Sequence, residues 1–124
     1  MFKIKKDVYH VTRGDEGVFD FSLDGYTFKN GDIIHFKIYE AEGLNRPPVR
    51  DIVIDVKEET EILEITFTSE DTKFGEMLNE IKEYWYEIEL NGKQTPYCFD
   101  EKGPKIFLLY PEGADSDAEG ETNS

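Results

Sequence analysis

The chain has 124 residues, with 14 Lys or Arg and 28 Asp or Glu, which gives a formal charge of −14. This length accommodates one domain, and a hydrophobic fraction of 38% supplies enough apolar side chain for a core. The negative charge argues against a general nucleic-acid binder and against docking on an anionic membrane, because both contacts need clustered Lys and Arg.

Short runs rich in Val, Ile, Phe and Tyr alternate with turn residues along most of the chain. Within the runs, apolar side chains recur at every second position, as in a strand with one buried face. This spacing predicts an all-β sandwich or barrel. The predicted strands, in chain order, are residues 7–12, 17–23, 32–40, 50–57, 61–68, 83–90, 93–99 and 105–110.

Two connections between these strands carry turn signals. Arg13, Gly14 and Asp15 match the tripeptide of integrin-binding loops, but a structural turn between the first two strands is the favoured interpretation. Asn91 and Gly92 form the strongest hairpin signal, because a type I′ turn needs positive φ at both central residues.

One short helix is predicted over residues 69–81, where apolar side chains recur at helical spacing and Gly75 weakens the pattern. After residue 110 the composition changes. Residues 112–124 include five acidic side chains and no Lys, Arg, aromatic or large aliphatic residue. The sequence therefore predicts a β-domain over residues 1–110 and a disordered acidic tail over residues 111–124.

Residues with catalytic or metal-binding chemistry are isolated in the sequence. Neither His10 nor His35 has a second His or Cys at ligand spacing, and Cys98 has no recognisable nucleophile motif around it. Nothing selects a catalytic pair among the 28 carboxylates. We therefore expect no enzyme activity, no metal and no cofactor. No apolar run approaches the ~20 residues that span a bilayer, and we expect synthesis in the cytosol.

The aromatic group at residues 84–86 invites a base-stacking or sugar-binding interpretation. In a strand, however, Tyr84 and Tyr86 project to one face and Trp85 to the other. One face is then core and the other is available for contact with a protein. The predicted protein-contact residues are Tyr39, Trp85 and Tyr97.

Several short motifs resemble the N-terminal domain of siphophage baseplate upper proteins and related small prophage proteins of Gram-positive hosts. The resemblance covers about residues 7–110. The motifs that carry it are Val11-Thr12-Arg13-Gly14-Asp15, Gly17-Val18-Phe19, Asn30-Gly31-Asp32-Ile33-Ile34-His35-Phe36, Ile52-Val53-Ile54, Glu70-Asp71-Thr72 and Tyr84-Trp85-Tyr86-Glu87-Ile88.

The resemblance implies an immunoglobulin-like antiparallel β-sandwich in a tailed-phage or prophage virion, with no catalytic residues to carry over. The domain would be a baseplate or tail accessory, or equally a head decoration protein. Its partners would be other virion proteins, or further copies of itself in a homo-oligomer. Two alternatives stay open: an acidic regulatory or inhibitory module that mimics nucleic acid, and a small hydrolase or carbohydrate binder with a concave pocket.

Overall fold

A computed structural model describes residues 1–77 and 79–113 of the chain. The predicted all-β sandwich with one short helix is confirmed. In chain order the elements are β1 Phe2–Lys5, β2 Val8–Thr12, β3 Gly17–Phe21, β4 Ile33–Glu40, β5 Arg50–Asp55, β6 Leu63–Phe67, α1 Ser69–Thr72, β7 Lys82–Leu90, β8 Gln94–Tyr97 and β9 Lys105–Tyr110.

Seven of the strands form one curled sheet, in the order β1-β2-β9-β7-β4-β5 with β8 also paired to β7. β3 and β6 form a second, two-stranded sheet. All pairings are antiparallel except that between β2 and β9, which is parallel and joins the start of the described chain to its end. Strand spacing in a sequence cannot reveal a pairing between segments so far apart.

The core lies between the two sheets and is dominated by aromatic rings. Phe36 of β4 is fully buried at its centre. Its ring centroid lies 4.9 Å from that of Tyr86, 5.0 Å from Phe67 of the small sheet and 5.1 Å from Tyr9. Alternate residues of the large sheet therefore face the small sheet, as the period-two pattern predicts. We call the opposite side of the large sheet its outer face.

The hairpin formed by β1 and β2 was not predicted. Lys5 pairs with Val8, so Lys6 and Asp7 form a two-residue turn in which both have positive φ, 49° and 67°. Such turns normally use Asn and Gly, and the sequence therefore gave no signal there. Phe2 at the start of this hairpin stacks on Phe19 of β3, with ring centroids 6.0 Å apart.

The predicted helix over residues 69–81 is wrong beyond Thr72. Thr68 caps α1, since its hydroxyl accepts a hydrogen bond from the Asp71 N–H while the Asp71 carboxylate accepts one from the Thr68 N–H. The chain then leaves the helical conformation, and Gly75 has a φ of +70°. Phe74 packs into the core against Tyr84, at 5.1 Å between ring centroids. The apolar spacing here reflects insertion of Phe74 into the core and not a helical face.

Most of the predicted acidic tail, residues 114–124, lies outside the described residues. Glu112 was assigned to that tail, yet its carboxylate accepts a hydrogen bond from Arg13 at 2.8 Å. Over the part of the chain that the structure describes, no helix has the length and apolar character needed to cross a membrane.

Candidate functional site

A row of apolar side chains crosses the outer face of the large sheet. Tyr39 of β4 lies opposite Trp85 of β7, and Trp85 lies opposite Ile106 of β9. The parallel register pairs Tyr9 with Phe107, so the preceding residues, Val8 and Ile106, also lie side by side. We call Tyr39, Trp85, Ile106 and Val8 the outer stripe.

The aromatic end of the outer stripe is ordered by its neighbours. The indole N–H of Trp85 donates a 2.8 Å hydrogen bond to the carboxylate of Glu83, which fixes the orientation of the ring. Phe99 packs against Trp85, with 5.7 Å between the ring centroids, and is 52% exposed. Tyr39 is only 6% exposed, so Trp85 and Phe99 supply the accessible aromatic surface. Ordered aromatic surface of this kind packs well against another protein.

Charged side chains lie beside the outer stripe, further along β4 and β7 and on β5. The Lys37 ammonium donates to the Glu89 carboxylate at 3.0 Å, and His35 Nδ1 lies 2.9 Å from Asp51. The hydrogen bond with Glu89 raises the pKa of Lys37. Burial, and then the charge of Glu89, raise the pKa of Glu87. Carboxylates outnumber cations along this flank, which therefore complements a basic surface.

The other end of the outer stripe is basic. Lys5 lies opposite Val8, and Lys3 lies opposite His10. His10 Nδ1 is 3.0 Å from the Tyr110 hydroxyl. Burial lowers the pKa of His10, and the nearby charges of Lys3 and Lys5 lower it further. The stripe thus ends at a basic edge at β1, and the acidic flank lies beside its aromatic end, further along β4 and β7.

Of the three predicted contact residues, the structure brings two together. Tyr39 and Trp85 are direct cross-strand neighbours. Tyr97 pairs with Ile88, which faces the core, and its ring lies 5.7 Å from that of Phe21. Tyr97 therefore belongs to the opposite side of the large sheet.

Arg13 holds the segment after α1 against the end of β9. Its Nε donates to the carbonyl of Phe74 and its Nη2 to that of Gly75, both at 3.0 Å. Its Nη1 donates to Glu112 at 2.8 Å. The guanidinium is committed to these three acceptors, which is a structural use of the side chain.

Gly14 and Asp15 complete the turn and join it to α1. Gly14 has a φ of +88°, which favours glycine. Its carbonyl accepts a hydrogen bond from the Ser69 hydroxyl, and the carbonyl of Asp15 accepts one from the Thr72 hydroxyl, both at 2.7 Å. These two hydrogen bonds therefore join the turn to the first and the last residue of α1.

Asn91 and Gly92 form the turn between β7 and β8, with φ values of 56° and 66°. The Asn91 side chain also accepts a hydrogen bond from the Ile33 N–H at 2.8 Å and donates one to Asp32 at 3.1 Å. The turn therefore anchors the start of β4 as well.

Searches against family models, curated proteins and solved structures returned no match for this chain. Among residues 1–77 and 79–113, no three His, Cys, Asp or Glu side chains come together in a way that could hold a metal ion. His10 and His35 lie apart, at Tyr110 and at Asp51 respectively. Cys98 is a half-buried free thiol.

Val8, Ile106 and Phe99 were not predicted as members or neighbours of the stripe. A signal was present in β9, which reads Lys-Ile-Phe-Leu-Leu-Tyr and is apolar on both faces. Continuous apolar runs are typical of strands covered on both sides. Here the small sheet covers one side, and Ile106 and Leu108 remain half-buried on the other.

Proposed function

We propose that this protein is a structural component of a tailed-phage or prophage virion and acts by binding other virion proteins. Two observations support this proposal. The motifs over residues 7–110 resemble the baseplate upper protein family, and the outer stripe offers an ordered aromatic surface for a partner. The observation that carries the binding role is the half-buried Trp85, aligned with Ile106 and packed against the exposed Phe99.

Trp85 is the expected anchor of the contact. Binding energy in interfaces concentrates in a few aromatic and Arg side chains surrounded by groups that exclude water. Trp85 is held by Glu83 and flanked by Phe99, so a partner would bury a pre-oriented ring at little entropic cost. The acidic flank at Lys37, Glu87 and Glu89 would favour a partner with basic residues beside its apolar contact.

The test is mass spectrometry of purified particles from cells that carry the phage or prophage. We expect the wild-type chain at a stoichiometric level. Trp85→Ala should reduce its copy number at least about tenfold, which corresponds to a hot-spot loss. Val18→Ala is the matched control, because Val18 is 58% exposed on the small sheet, and it should leave the copy number unchanged.

Absence of the chain from particles would overturn the virion role. Normal incorporation of the Trp85→Ala variant would overturn the assignment of the outer stripe as the contact. A pull-down from host lysate should recover virion components. Recovery of a nucleic-acid enzyme in their place would overturn the proposal in favour of an acidic module that mimics nucleic acid.

A further inference from the structure

A cavity of about 160 Å³ opens at one end of the sandwich. β9 and β8 use the same edge of β7: β9 begins at Lys105, opposite Tyr86, and β8 pairs with β7 from Ile88 onward. The end of the β1–β2 hairpin therefore faces β8 with a gap between them. The Tyr86 hydroxyl crosses this gap and donates a 2.6 Å hydrogen bond to the carbonyl of Asp7.

Half of the residues that line this cavity are aromatic. Tyr9 lies at its centre, with its ring centroid 5.0 Å from Tyr86 and 5.5 Å from Phe19. Phe21 and Tyr97 close the far side, with 5.7 Å between their centroids. The cavity can therefore enclose an aliphatic stem and present ring surfaces to whatever the stem carries.

The Tyr9 hydroxyl is available inside this cavity. Tyr9 is 5% exposed and lines the cavity. Among the described residues, the buried phenol hydroxyl that lacks a partner is that of Tyr84 and not that of Tyr9. The Tyr9 oxygen, which makes no hydrogen bond to the described residues, is therefore open to the space of the cavity. A ligand that donates a hydrogen bond can bind it there.

Two carboxylates, those of Asp7 and Asp20, line the cavity. Burial raises the pKa of Tyr9, Tyr86 and Tyr97, and the nearby Asp7 carboxylate raises each of them further. The positive charge of Lys105 partly offsets this rise in the pKa of Tyr97.

The neighbouring lysines lie outside the cavity. Lys6, Lys102 and Lys105 line an adjacent depression that Asp7 also borders. Lys105 donates to the carboxylate of Asp100 at 2.9 Å, which neutralises its charge locally. None of the described residues that line the cavity itself is a Lys or Arg, so the carboxylates of Asp7 and Asp20 set the sign of the charge at its wall.

We propose that this cavity binds the cationic end of a basic side chain, an alkylammonium or alkylguanidinium group presented by a partner protein. The aromatic faces attract the cation, and the enclosed site makes this attraction stronger than it would be in water. The Asp7 carboxylate and the Tyr9 hydroxyl accept its hydrogen bonds, and Ile4 and Ile88 contact its aliphatic stem. The site is distinct from the outer stripe.

The experiment is an NMR titration of the ¹⁵N-labelled full chain at constant ionic strength. The probes are n-butylammonium chloride, n-butylguanidinium chloride and, as the uncharged control, 1-butanol. We expect saturable amide shifts centred on Asp7, Tyr9 and Tyr97 with a cationic probe and at least about fivefold weaker binding of butanol. The tighter of the two cations identifies Lys or Arg as the side chain recognised.

Two variants test the roles of the polar groups. Asp7→Asn should weaken binding of the cation about fivefold or more, and Asn tolerates the positive φ at this position. Tyr9→Phe keeps the ring and should weaken binding about threefold or more. Asp55→Asn, at an exposed position on β5, is the matched control and should change nothing.

Equal binding of butanol would overturn the proposal, as would shifts located elsewhere or unchanged affinity in both variants. If Asp7→Asn disturbs the fold, the ring-preserving Tyr9→Phe variant still decides the result. The titration uses the isolated protein. Its outcome is therefore independent of whether the chain is incorporated into a virion.

Discussion

Replacing Gly17 with alanine tests how closely the N-terminal strand packs on the small sheet. A Cβ atom built on Gly17 would lie 2.1 Å from Cγ of Phe2, and 2.2 and 2.4 Å from the two Cδ atoms of that ring. Ordinary contact begins near 3.4 Å. The ring must therefore move by more than about 1 Å to admit a single methyl group, which is a case of overpacking.

The magnitude follows from what Phe2 contacts. Its ring stacks on Phe19 at 6.0 Å and meets the edges of Phe67 at 5.7 Å and Tyr9 at 6.5 Å. Each such pair contributes about 0.5–1.5 kcal/mol beyond burial, and displacement weakens all three. Replacing a glycine in a strand with alanine would by itself raise the free energy of unfolding by about 0.5–1 kcal/mol. We expect Gly17→Ala to lower the free energy of unfolding by about 1–3 kcal/mol.

The assay is urea unfolding of the wild type, Gly17→Ala, Phe2→Ala and the double variant. In the Phe2→Ala background the obstructing ring is absent, so Gly17→Ala should be neutral or stabilising by up to about 1 kcal/mol. The coupling between the two sites should then equal most of the single-variant cost. An equal cost of Gly17→Ala in both backgrounds would refute the packing of Phe2 on the Gly17 backbone.

Two further predictions concern hydrogen-bonded side chains. The Asp32 carboxylate accepts hydrogen bonds from the Tyr26 hydroxyl, the Lys29 N–H and the Asn91 side chain, and these lower its pKa. The stabilisation that the Asp32 carboxylate provides is fully present above its pKa in the unfolded chain, near 3.8. It is lost as the pH falls through the lower pKa of the folded protein. Asp32→Asn should lower the free energy of unfolding by about 1–3 kcal/mol at pH 7. In urea unfolding from pH 2 to 7, the variant should lose less stability at acid pH than the wild type, and an equal loss in both proteins would contradict this. Arg13→Lys should lower the free energy of unfolding by about 1–2 kcal/mol, because one ammonium cannot reach the three acceptors that the planar guanidinium contacts. It should also speed amide hydrogen exchange over residues 73–77, and unchanged exchange there would argue against the role of Arg13 in holding this segment.

Local patterns were sufficient to predict most strands. β9 has the predicted bounds, and the other predicted strands contain or nearly contain the observed ones. The hairpin turn at Asn91 and Gly92 was readable because its residue types are those that positive φ requires. The turn at Lys6 and Asp7 has positive φ as well. There, tertiary packing of Phe2 offsets the unfavourable turn residues, and no local rule reports that packing.

The helix and the candidate site were likewise predictable only in part. Residues 69–72 begin a helix as predicted, but the burial of Phe74 is decided by rings from β7 and β9 that lie outside the local window. Tyr39 and Trp85 could be named from outward-facing aromatic positions. Their contact with each other depends on strand register, and the cavity around Tyr9 depends on where β9 begins. Neither is encoded in the spacing of a single segment.

The parallel pairing of β2 with β9 has a consequence for the order of folding. On the ribosome, the β1–β2 hairpin emerges before the other described elements, yet its partner strand β9 follows only after all of them have been made. An isolated hairpin is at best marginally stable in water. The pairing of β2 with β9 therefore cannot form until β9 has been synthesised, and contacts of such long sequence separation fold slowly. Until residues 105–110 are released, Tyr9 and Val11 remain accessible to chaperones and to other nascent chains.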